Sequence, residues 1–481
     1  RKKGTSALFL RRAAGEAIDP GDVQGDIMAA SVQAFGGSGT FKHGVHPPER
    51  KHFSEDLPIE VVPTPAQVQL PMLQHVGAPS IPVVKAKDVV AYGDMVCKSG
   101  GFVSAPVHAP LAGKVLKTGV TTLPNGRHVQ VLPIKAEGDQ LEGQALMEDI
   151  LGGDWPLEAI DRYDRKSIAE AIAQAGIVGL GGAAFPAHVK YTPNDEKPID
   201  TVLINGCECE PYLTPDYRVM LEGTPAVIAG ALLAGRAAGA RDIIIGVEDN
   251  KPAAIEALKK AAQGTAVKIA VVKTKYPQGS EKQLIMAVLK RAVPVGGLPL
   301  DVGVAVSNVG TAAAMARAVL RGKPLPHRVV RVTGSAVRNP KNLLVPIGIS
   351  YGELLDYCGG LTAKAARIIS GGPMMGFAFA NLDAPVTKGT SAMTVLTAED
   401  VQKAEETACI RCGRCVDACP MNLVPTKIAL ASRAKDVDLA QAYNIMACFE
   451  CGCCAFTCPA SIPLVQLVRT GKAQVIASQR K

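Results

Sequence analysis

Eight cysteines near the C-terminus fall into two runs of identical spacing. The first run is Cys409, Cys412, Cys415 and Cys419, and the second is Cys448, Cys451, Cys454 and Cys458. Each run reads C-x2-C-x2-C-x3-C and is followed directly by a proline. Three thiolates at this spacing on a tight loop can reach three irons of one cubane, whereas the fourth cysteine usually ligates the other cluster. The runs therefore predict two [4Fe–4S] clusters.

The ligand sets follow from the crossing of the fourth cysteine. We expect cluster 1 on Cys409, Cys412, Cys415 and Cys458, and cluster 2 on Cys419, Cys448, Cys451 and Cys454. Two structural zinc sites are the alternative, but zinc sites pair C-x2-C units across a long loop, which fits these runs poorly. Cys453 interrupts the second run, and we interpret it as a small buried filler.

Length and composition indicate a multidomain protein. The chain has 481 residues, which exceeds what one hydrophobic core supports. The cysteines outside the two runs show no disulfide framework, which is typical of a reducing, cytosolic compartment. A net charge of +8 is too diffuse to indicate nucleic-acid binding. The longest apolar stretch, Pro225–Gly235, is about half the length that spans a bilayer, so any membrane contact is predicted to be peripheral.

Changes in pattern divide the chain into five segments. They are residues 1–60, 61–150, 151–325, 326–395 and 396–481. The first is an N-terminal arm containing His46-Pro47-Pro48-Glu49, where His43 and His46 could bind a metal but a structural arm locked by the prolines is favoured. The second and fourth show short strands between turns, and the third alternates strands and helices in the pattern of a parallel α/β sheet. The fifth carries the cysteine runs between short helices.

Two loops in the third segment are suited to binding a nucleotide. The first, at 179–186, reads Gly-Leu-Gly-Gly-Ala-Ala-Phe-Pro, and its glycines let backbone amides approach a phosphate. The second, at 205–211, reads Asn-Gly-Cys-Glu-Cys-Glu-Pro after a strand, and its glutamates could bind ribose hydroxyls or a metal. Taken singly, the first loop is equally consistent with a structural turn, since it matches neither a Rossmann nor a P-loop pattern, and the second is better explained as a solvated acidic turn.

The order of these loops resembles the NADH-binding flavoprotein subunit of respiratory complex I. That family's first loop reads Gly-Arg-Gly-Gly-Ala-Gly-Phe-Pro-Thr-Gly-x-Lys; here Lys190 matches, and the departures are Leu180, Ala184, Ala187 and His188. The second loop departs at Cys207. The segments Gly279-Ser280-Glu281 and Ser307-Asn308-Val309-Gly310-Thr311 resemble the family's third and fourth motifs.

This resemblance implies non-covalent FMN and NAD(H) as substrate. The glycine-rich loop with Asn308 would cradle FMN, and Phe185, Lys190, Glu208 and Glu210 would contact NADH. The full set of implied cofactor-binding residues is Gly179, Gly181, Gly182, Ala183, Phe185, Lys190, Asn205, Glu208, Glu210, Glu281, Asn308 and Thr311. Hydride transfer requires no catalytic acid or base, so none is assigned.

The remaining segments extend the resemblance over nearly the whole chain. In residues 61–150, Gly93–Val96 and Ala109–Val115 resemble a biotinyl/lipoyl barrel-sandwich domain, but no lysine lies between Ser99 and Gly113 to carry a cofactor. Residues 326–395 resemble a β-grasp ligand-binding domain. With the HPPE arm and the duplicated cysteine runs, the chain resembles the C subunits of the Rnf ion-translocating ferredoxin:NAD oxidoreductases. The predicted fold class is therefore multidomain α/β plus β, with a two-cluster ferredoxin-like helical domain.

The resemblance implies a peripheral subunit on the cytoplasmic side of the bacterial inner membrane, passing electrons between NADH, FMN and two clusters. Its implied partners are other subunits of a membrane electron-transport complex, especially an iron–sulfur subunit, with ferredoxin or flavodoxin as ultimate redox partner. Basic residues would add a minor attraction to anionic lipid: Arg1, Lys2, Lys3, Arg11 and Arg12. Two alternatives are a diaphorase subunit of a soluble hydrogenase or formate dehydrogenase, which the HPPE arm argues against, and an electron-relay adaptor with a vestigial flavin domain.

Overall fold

The computed structural model describes residues 35–192, 196–362, 364–401 and 405–479. The basic residues predicted to face lipid, from Arg1 to Arg12, lie outside these ranges. The described chain contains four β-sheets and a helical C-terminal region. This arrangement agrees with the predicted multidomain α/β plus β architecture.

Short strands follow the N-terminal arm, and all of them except β1 pair antiparallel. In chain order they are β1 (Ile59–Val61), β2 (Gln67–Pro71), β3 (Ile81–Pro82), β4 (Val89–Val90), β5 (Met95–Lys98), β6 (Val107–His108), β7 (Gly113–Val115), β8 (Gly119–Thr122) and β9 (His128–Ala136). One sheet has the order β2-β9-β7-β4, with β8 also paired to β9, and a second has the order β3-β5-β6. Val68, Leu70, Val96 and Ile134 are fully buried, so apolar side chains form the core of this region.

A parallel α/β unit follows. Its elements are α1 (Gly143–Ile150), α2 (Arg165–Gln174), α3 (Ala187–Tyr191), β10 (Thr201–Gly206), α4 (Pro215–Glu222), α5 (Thr224–Ala238), β11 (Asp242–Glu248), α6 (Pro252–Ala261), β12 (Val267–Val272), α7 (Glu281–Leu289), β13 (Val304–Asn308) and α8 (Val309–Arg321). The four strands are all parallel, in the order β12-β11-β10-β13. The strand order therefore reverses at β10, and the carboxyl ends of β10 and β13 lie side by side, where ligands bind in open α/β sheets.

Helix α5 shows how closely this unit is packed. The helix begins at Thr224 with Gly223 at the cap position, and the Thr224 hydroxyl donates to the Met220 carbonyl of α4. A Cβ added to Gly230 would lie 1.8 Å from the Ala312 carbonyl oxygen of α8. A glycine is therefore required where α5 crosses α8.

A mixed six-stranded sheet lies beyond the α/β unit. It contains β14 (His327–Thr333), β15 (Lys341–Pro346), α9 (Tyr351–Tyr357), β16 (Arg367–Ser370), β17 (Phe377–Phe379) and β18 (Ala392–Leu396). The strand order is β1-β15-β14-β18-β16-β17, so β1 from the N-terminal region completes the sheet by pairing parallel to β15. Residues around position 60 and those around position 343 therefore belong to one folding unit.

The C-terminal region is built from short helices. They are α10 (Arg414–Asp417), α11 (Pro425–Ala434), α12 (Val437–Ala442), α13 (Cys453–Phe456) and α14 (Leu464–Ser478). Helices α10 and α13 occupy the same place in the two cysteine runs, and each follows a glycine with positive φ, Gly413 or Gly452. Among the described residues, no single helix is long and apolar enough to cross a membrane; α4 and α5 together pass by length and composition but are bent by 95°.

Candidate functional site

A cavity of about 630 Å³ opens at the carboxyl ends of β10 and β13. This volume lies within the range of about 300–1,000 Å³ found for small-molecule and cofactor sites. Eleven of the twelve predicted cofactor-binding residues line it: Gly179, Gly181, Ala183, Phe185, Lys190, Asn205, Glu208, Glu210, Glu281, Asn308 and Thr311. The exception is Gly182, which does not line the cavity but has φ +107 within the same loop. The predicted residues are thus brought together, although they span more than a hundred positions.

The glycine-rich loop is held against the start of α8. The Leu180 amide donates to the Thr311 hydroxyl at 2.8 Å, and the Gly179 amide donates to the Phe185 carbonyl at 2.8 Å. A Cβ added to Gly181 would lie 3.5 Å from the Asn308 Cβ. The loop is therefore closed on itself and aligned with the amino end of α8, a position that favours an anionic group.

Lys190 and Asn205 fix two walls of the cavity. The Lys190 ammonium donates to Glu281 Oε1 and to the Val306 carbonyl, each at 2.8 Å. The Asn205 amide donates to the Gly279 carbonyl at 2.7 Å, while its Oδ1 accepts from the Cys207 amide at 3.0 Å. These bonds join the ends of β10 and β13 to the loop that precedes α7.

Both glutamates of the second loop accept backbone hydrogen bonds. The buried Glu208 carboxylate accepts from the Asp216 amide at 2.9 Å at the amino end of α4. The Glu210 carboxylate accepts from the amides of Met374 and Met375 at 3.2 and 2.8 Å. Burial raises the pKa of Glu210 to about 7. The two carboxylates therefore anchor the loop to its neighbours as well as lining the cavity.

Asp216 is a cavity residue that the sequence motifs do not identify. Its carboxylate accepts from the Asn308 side-chain amide at 2.6 Å, and Asn308 Oδ1 also caps α8 by accepting from the Gly310 amide at 2.8 Å. Burial, reinforced by the neighbouring Glu208, raises the pKa of Asp216 to about 7. An acidic residue in the first turn of a helix is common, so position alone gives no signal of this role.

The second cysteine run forms an apolar pocket with Cys419 of the first run. Cys419, Cys448, Cys451 and Cys454 line this pocket together with apolar side chains such as Ile428 and Val468. Burial raises the pKa of the Cys454 thiol, and its neighbours Cys451, Cys448 and Cys419 raise it further. The four cysteines predicted for cluster 2 thus line one pocket, which we call the cluster 2 pocket, although among the described residues no three of them are grouped as tightly as a single metal ion requires.

The other four cysteines are arranged less compactly. Cys415 and Cys458 belong to one apolar cluster with Ala460 and Leu464. Cys409 and Cys412, in contrast, are exposed, and the structure does not bring them into that cluster. Cys453 is fully buried against Val45 and Tyr276, as expected of a filler.

The cofactor cavity adjoins the cluster 2 pocket. Cys448 and Phe449 line both of them. Tyr276 lines the cofactor cavity, and its hydroxyl donates to the Cys451 carbonyl at 2.6 Å. A molecule in the cavity would therefore lie beside the second cysteine run.

Comparison with known proteins assigns the parts of the chain. Residues 39–139 match the RnfC barrel sandwich hybrid domain, residues 172–317 the Nuo51 FMN-binding domain, residues 329–378 the SLBB domain and residues 408–462 the 4Fe-4S dicluster domain. The C subunit of the proton-translocating ferredoxin:NAD(+) oxidoreductase complex of Clostridium ljungdahlii is 45% identical over 90% of this chain and 94% of the relative. The C subunit of the Na(+)-translocating ferredoxin:NAD(+) oxidoreductase complex of Acetobacterium woodii is 43% identical over 92% of this chain and 98% of the relative. The chain belongs to the RnfC family, the C subunits of ion-translocating ferredoxin:NAD(+) oxidoreductase complexes.

A further member of the RnfC family agrees with this assignment. The C subunit of the ion-translocating oxidoreductase complex of Rhodobacter capsulatus is 40% identical over 92% of this chain and 84% of the relative. The matched FMN-binding and 4Fe-4S dicluster domains confirm FMN and [4Fe–4S] clusters as the cofactors expected of this chain. The chain thus combines a flavin domain and a dicluster domain in one polypeptide.

Three departures from the complex I loop pattern, Leu180, Ala184 and His188, can be related to the structure. Leu180, where that pattern has arginine, is buried against Gly310. His188, where the pattern has glycine, is buried, and its Nε2 lies 3.0 Å from the Phe102 carbonyl of the barrel-sandwich region. Burial lowers the pKa of His188. Ala184 keeps the left-handed backbone, with φ +49, that a glycine would adopt more easily. Leu180 and His188 therefore join the loop to α8 and to the barrel-sandwich region, whereas Ala184 preserves the shape of the loop.

Proposed function

We propose that this chain is the NADH-oxidising, or NAD-reducing, peripheral subunit of a membrane-bound ion-translocating complex. It passes electrons between NADH, FMN and two [4Fe–4S] clusters, toward ferredoxin or membrane partners. The observation that carries the proposal is the contact between the cofactor cavity and the cluster 2 pocket through Cys448 and Phe449. A two-electron carrier and a one-electron carrier would then be neighbours.

The cavity residues fit a flavin mononucleotide with a nicotinamide beside it. FMN supplies the chemistry that accepts a hydride as an electron pair and returns the electrons one at a time. The glycine-rich loop, Asn308 and Thr311 would hold its phosphate and ring, with the amino end of α8 favouring the anion. Phe185, Lys190, Glu208 and Glu210 would contact NADH. Gly182 shapes the loop.

The cysteine positions support the crossed ligand assignment. Cys419, Cys448, Cys451 and Cys454 would hold cluster 2, since these four thiols line one pocket. Cys409, Cys412, Cys415 and Cys458 would hold cluster 1, and the proximity of Cys415 to Cys458 supports this set. Thiolates are the ligands that iron–sulfur clusters require, and the apolar surroundings limit solvent access.

This assignment gives the clusters an order. The cluster 2 pocket adjoins the cofactor cavity, so Cys419, Cys448, Cys451 and Cys454 would hold the cluster that lies beside the flavin. Cluster 1 lies toward the surface, because Cys409 and Cys412 are exposed and Ile410 between them is 67% exposed. Electrons therefore leave the chain, or enter it, at the face formed by the first cysteine run.

Partners and location follow from the family. The relatives are named as subunits of ion-translocating complexes, which supports a partner subunit at the face of cluster 1, with an iron–sulfur protein suited to receive single electrons. We place the chain on the cytoplasmic side of the inner membrane, attached by protein contacts. The arm (1–60), barrel-sandwich (61–150), flavin (151–325), β-grasp (326–395) and dicluster (396–481) segments are the proposed domains.

Cofactor extraction tests the proposal. Chain purified anaerobically should contain FMN, and NADH should bleach the flavin absorbance before the cluster absorbance. A purified chain that holds both clusters but no flavin, and that NADH does not reduce, would instead be an electron-relay adaptor.

A further inference from the structure

The segment from His43 to Lys51, which we call the arm strap, crosses three parts of the molecule. At one end, His43 Nδ1 donates to the Asp417 carbonyl at 2.7 Å, and the Gly44 amide donates to the Ala418 carbonyl at 3.1 Å. These two carbonyls immediately precede Cys419. The arm strap therefore contacts the backbone that carries one ligand of the cluster 2 pocket.

The middle of the arm strap pairs with a wall of the cofactor cavity. The Val45 amide donates to the Tyr276 carbonyl at 2.9 Å, and the Tyr276 amide donates back to the Val45 carbonyl at 3.0 Å. Tyr276 lines the cavity and donates through its hydroxyl to Cys451. Displacing Val45 would therefore move a residue that touches both sites.

The other end of the arm strap holds the second nucleotide loop. The Lys51 ammonium donates to the carbonyls of Glu208, Glu210 and Leu213 at 2.7, 3.0 and 2.6 Å. An ammonium group has three donors, so this loop occupies all of them. The Arg331 guanidinium in turn donates to the Lys51 carbonyl at 2.9 Å. Lys51 is thus the centre of a small network that fixes the curvature of the loop.

Burial makes this arrangement costly unless every donor is used. Lys51 is only 6% exposed, and a buried charge is tolerated only when it is paired and hydrogen-bonded. Burial lowers the pKa of Lys51, and the Glu208 carboxylate opposes that shift. Its other charged neighbours are Lys251, Glu248 and Arg331. The three loop carbonyls therefore stabilise the buried Lys51 ammonium.

We propose that the arm strap is a positioning element for electron transfer, with Lys51 setting the nucleotide loop and Gly44 setting the cluster 2 pocket relative to the cofactor cavity. This role rests on the proposed function, because it assigns the strap to a flavin site and a cluster site. It also assigns a role to Pro47 and Pro48 of the HPPE arm, which restrict the backbone between the two anchored ends of the strap, at Gly44 and at Lys51.

The two ends can be perturbed separately. Lys51→Met removes the three donors while keeping an unbranched side chain, and Lys51→Arg keeps the charge but not the compact three-donor geometry. Gly44 has φ +83, and an added Cβ would lie 2.5 Å from the Tyr276 carbonyl oxygen, so Gly44→Ala must move the strap or Tyr276. The matched controls are Lys85→Met at an exposed lysine and Gly126→Ala, where φ is +82 and an added Cβ meets nothing within 4 Å.

The experiment uses the full chain, loaded with FMN and clusters, in anaerobic stopped-flow and rapid-freeze EPR. Lys51→Met should raise the KM for NADH about tenfold, which corresponds to about 1.4 kcal/mol, with FMN content and flavin-to-cluster transfer retained. Lys51→Arg should show a smaller rise of the same kind. Gly44→Ala should slow the appearance of the cluster signal more than it slows flavin reduction by NADH. Both controls should behave as wild type.

A second readout does not require cofactors. In chain stripped of FMN, Lys51→Met should speed hydrogen exchange at residues 208–213 by about tenfold relative to Lys85→Met. Unchanged exchange and unchanged KM in a Lys51→Met chain that holds FMN would overturn the role of Lys51. Unchanged cluster reduction in Gly44→Ala would overturn the role of Gly44. Wild-type chain that binds no flavin would overturn the proposed function instead, and the exchange result would still report on the strap.

Discussion

Replacing Glu210 with alanine tests how the nucleotide loop is anchored. The wild-type carboxylate accepts hydrogen bonds from the amides of Met374 and Met375, so Glu210→Ala leaves both amides without this acceptor. The bond to Met374 is partly buried and the bond to Met375 is exposed, so water can replace part of each, and the net loss is about 0.5–1.5 kcal/mol for each bond. The loop should therefore open locally, and the KM for NADH should rise about tenfold or more while FMN stays bound.

The difference in stability between wild type and Glu210→Ala depends on pH. Burial raises the pKa of Glu210 from 4.5 to about 7, so the folded protein binds the proton more tightly than the unfolded chain does. This contribution to wild-type stability is fully present below about pH 4.5 and is lost as the pH rises through about 7. The alanine variant lacks this dependence. From pH 5 to pH 8, its stability relative to wild type should therefore improve by about 2 kcal/mol.

Hydrogen exchange at residues 372–376 measures this stability difference directly when wild type and Glu210→Ala are compared at the same pH. Glu399→Ala, at an exposed acidic position, is the control. We expect much faster exchange in Glu210→Ala at pH 5 and a smaller difference at pH 8. Equal protection in the two proteins at both pH values, together with unchanged NADH kinetics, would refute the anchoring role.

Three further predictions concern other parts of the chain. Cys419→Ser should abolish the EPR signal of cluster 2 and leave that of cluster 1, whereas Cys358→Ser, at a buried thiol outside both runs, should leave both signals. Lys251→Met should destabilise the chain by about 3–5 kcal/mol in chemical denaturation, because it leaves the buried Glu248 carboxylate without its ion pair; an unchanged midpoint would contradict this. Burial lowers the pKa of His108 and His327 to about 3, so near pH 6.5 these histidines take up protons only in the unfolded chain. Lowering the pH from 7 to 5 should therefore reduce the free energy of unfolding by about 2 kcal/mol for each histidine. His327→Gln should reduce this loss of stability, whereas His128→Gln, at an exposed histidine, should not.

Local signals in the sequence predict the parallel sheet well. The alternation of strands and helices predicted for residues 151–325 corresponds to β10, β11, β12 and β13 with the helices between them. Apolar runs with alternating helices are a strong pattern because each element buries its own apolar side chains. The cysteine runs are equally informative, since their spacing reflects the chemistry of the ligands rather than their tertiary surroundings.

Long-range contacts could not be predicted in this way. Lys51 reaches the Glu208 carbonyl across 157 positions, and nothing in the local sequence around Lys51 indicates a buried ammonium. The Glu210 carboxylate is a recognisable motif residue, but its bonds to Met374 and Met375 depend on how the six-stranded sheet lies against the nucleotide loop. Asp216 could not be predicted for the same reason, because its partner Asn308 lies at the end of β13, 92 positions along the chain from helix α4.

The most direct test of the central claim is an anaerobic titration of the cofactor-loaded chain with NADH, followed by EPR and by analysis of iron, sulfide and flavin. We predict one FMN, about eight irons and about eight sulfides per chain, with both clusters reduced through the flavin. In FMN-free chain, NADH should leave both clusters oxidised, and adding FMN should restore their reduction. Zinc in place of iron, a single cluster, or cluster reduction by NADH without flavin would contradict the account.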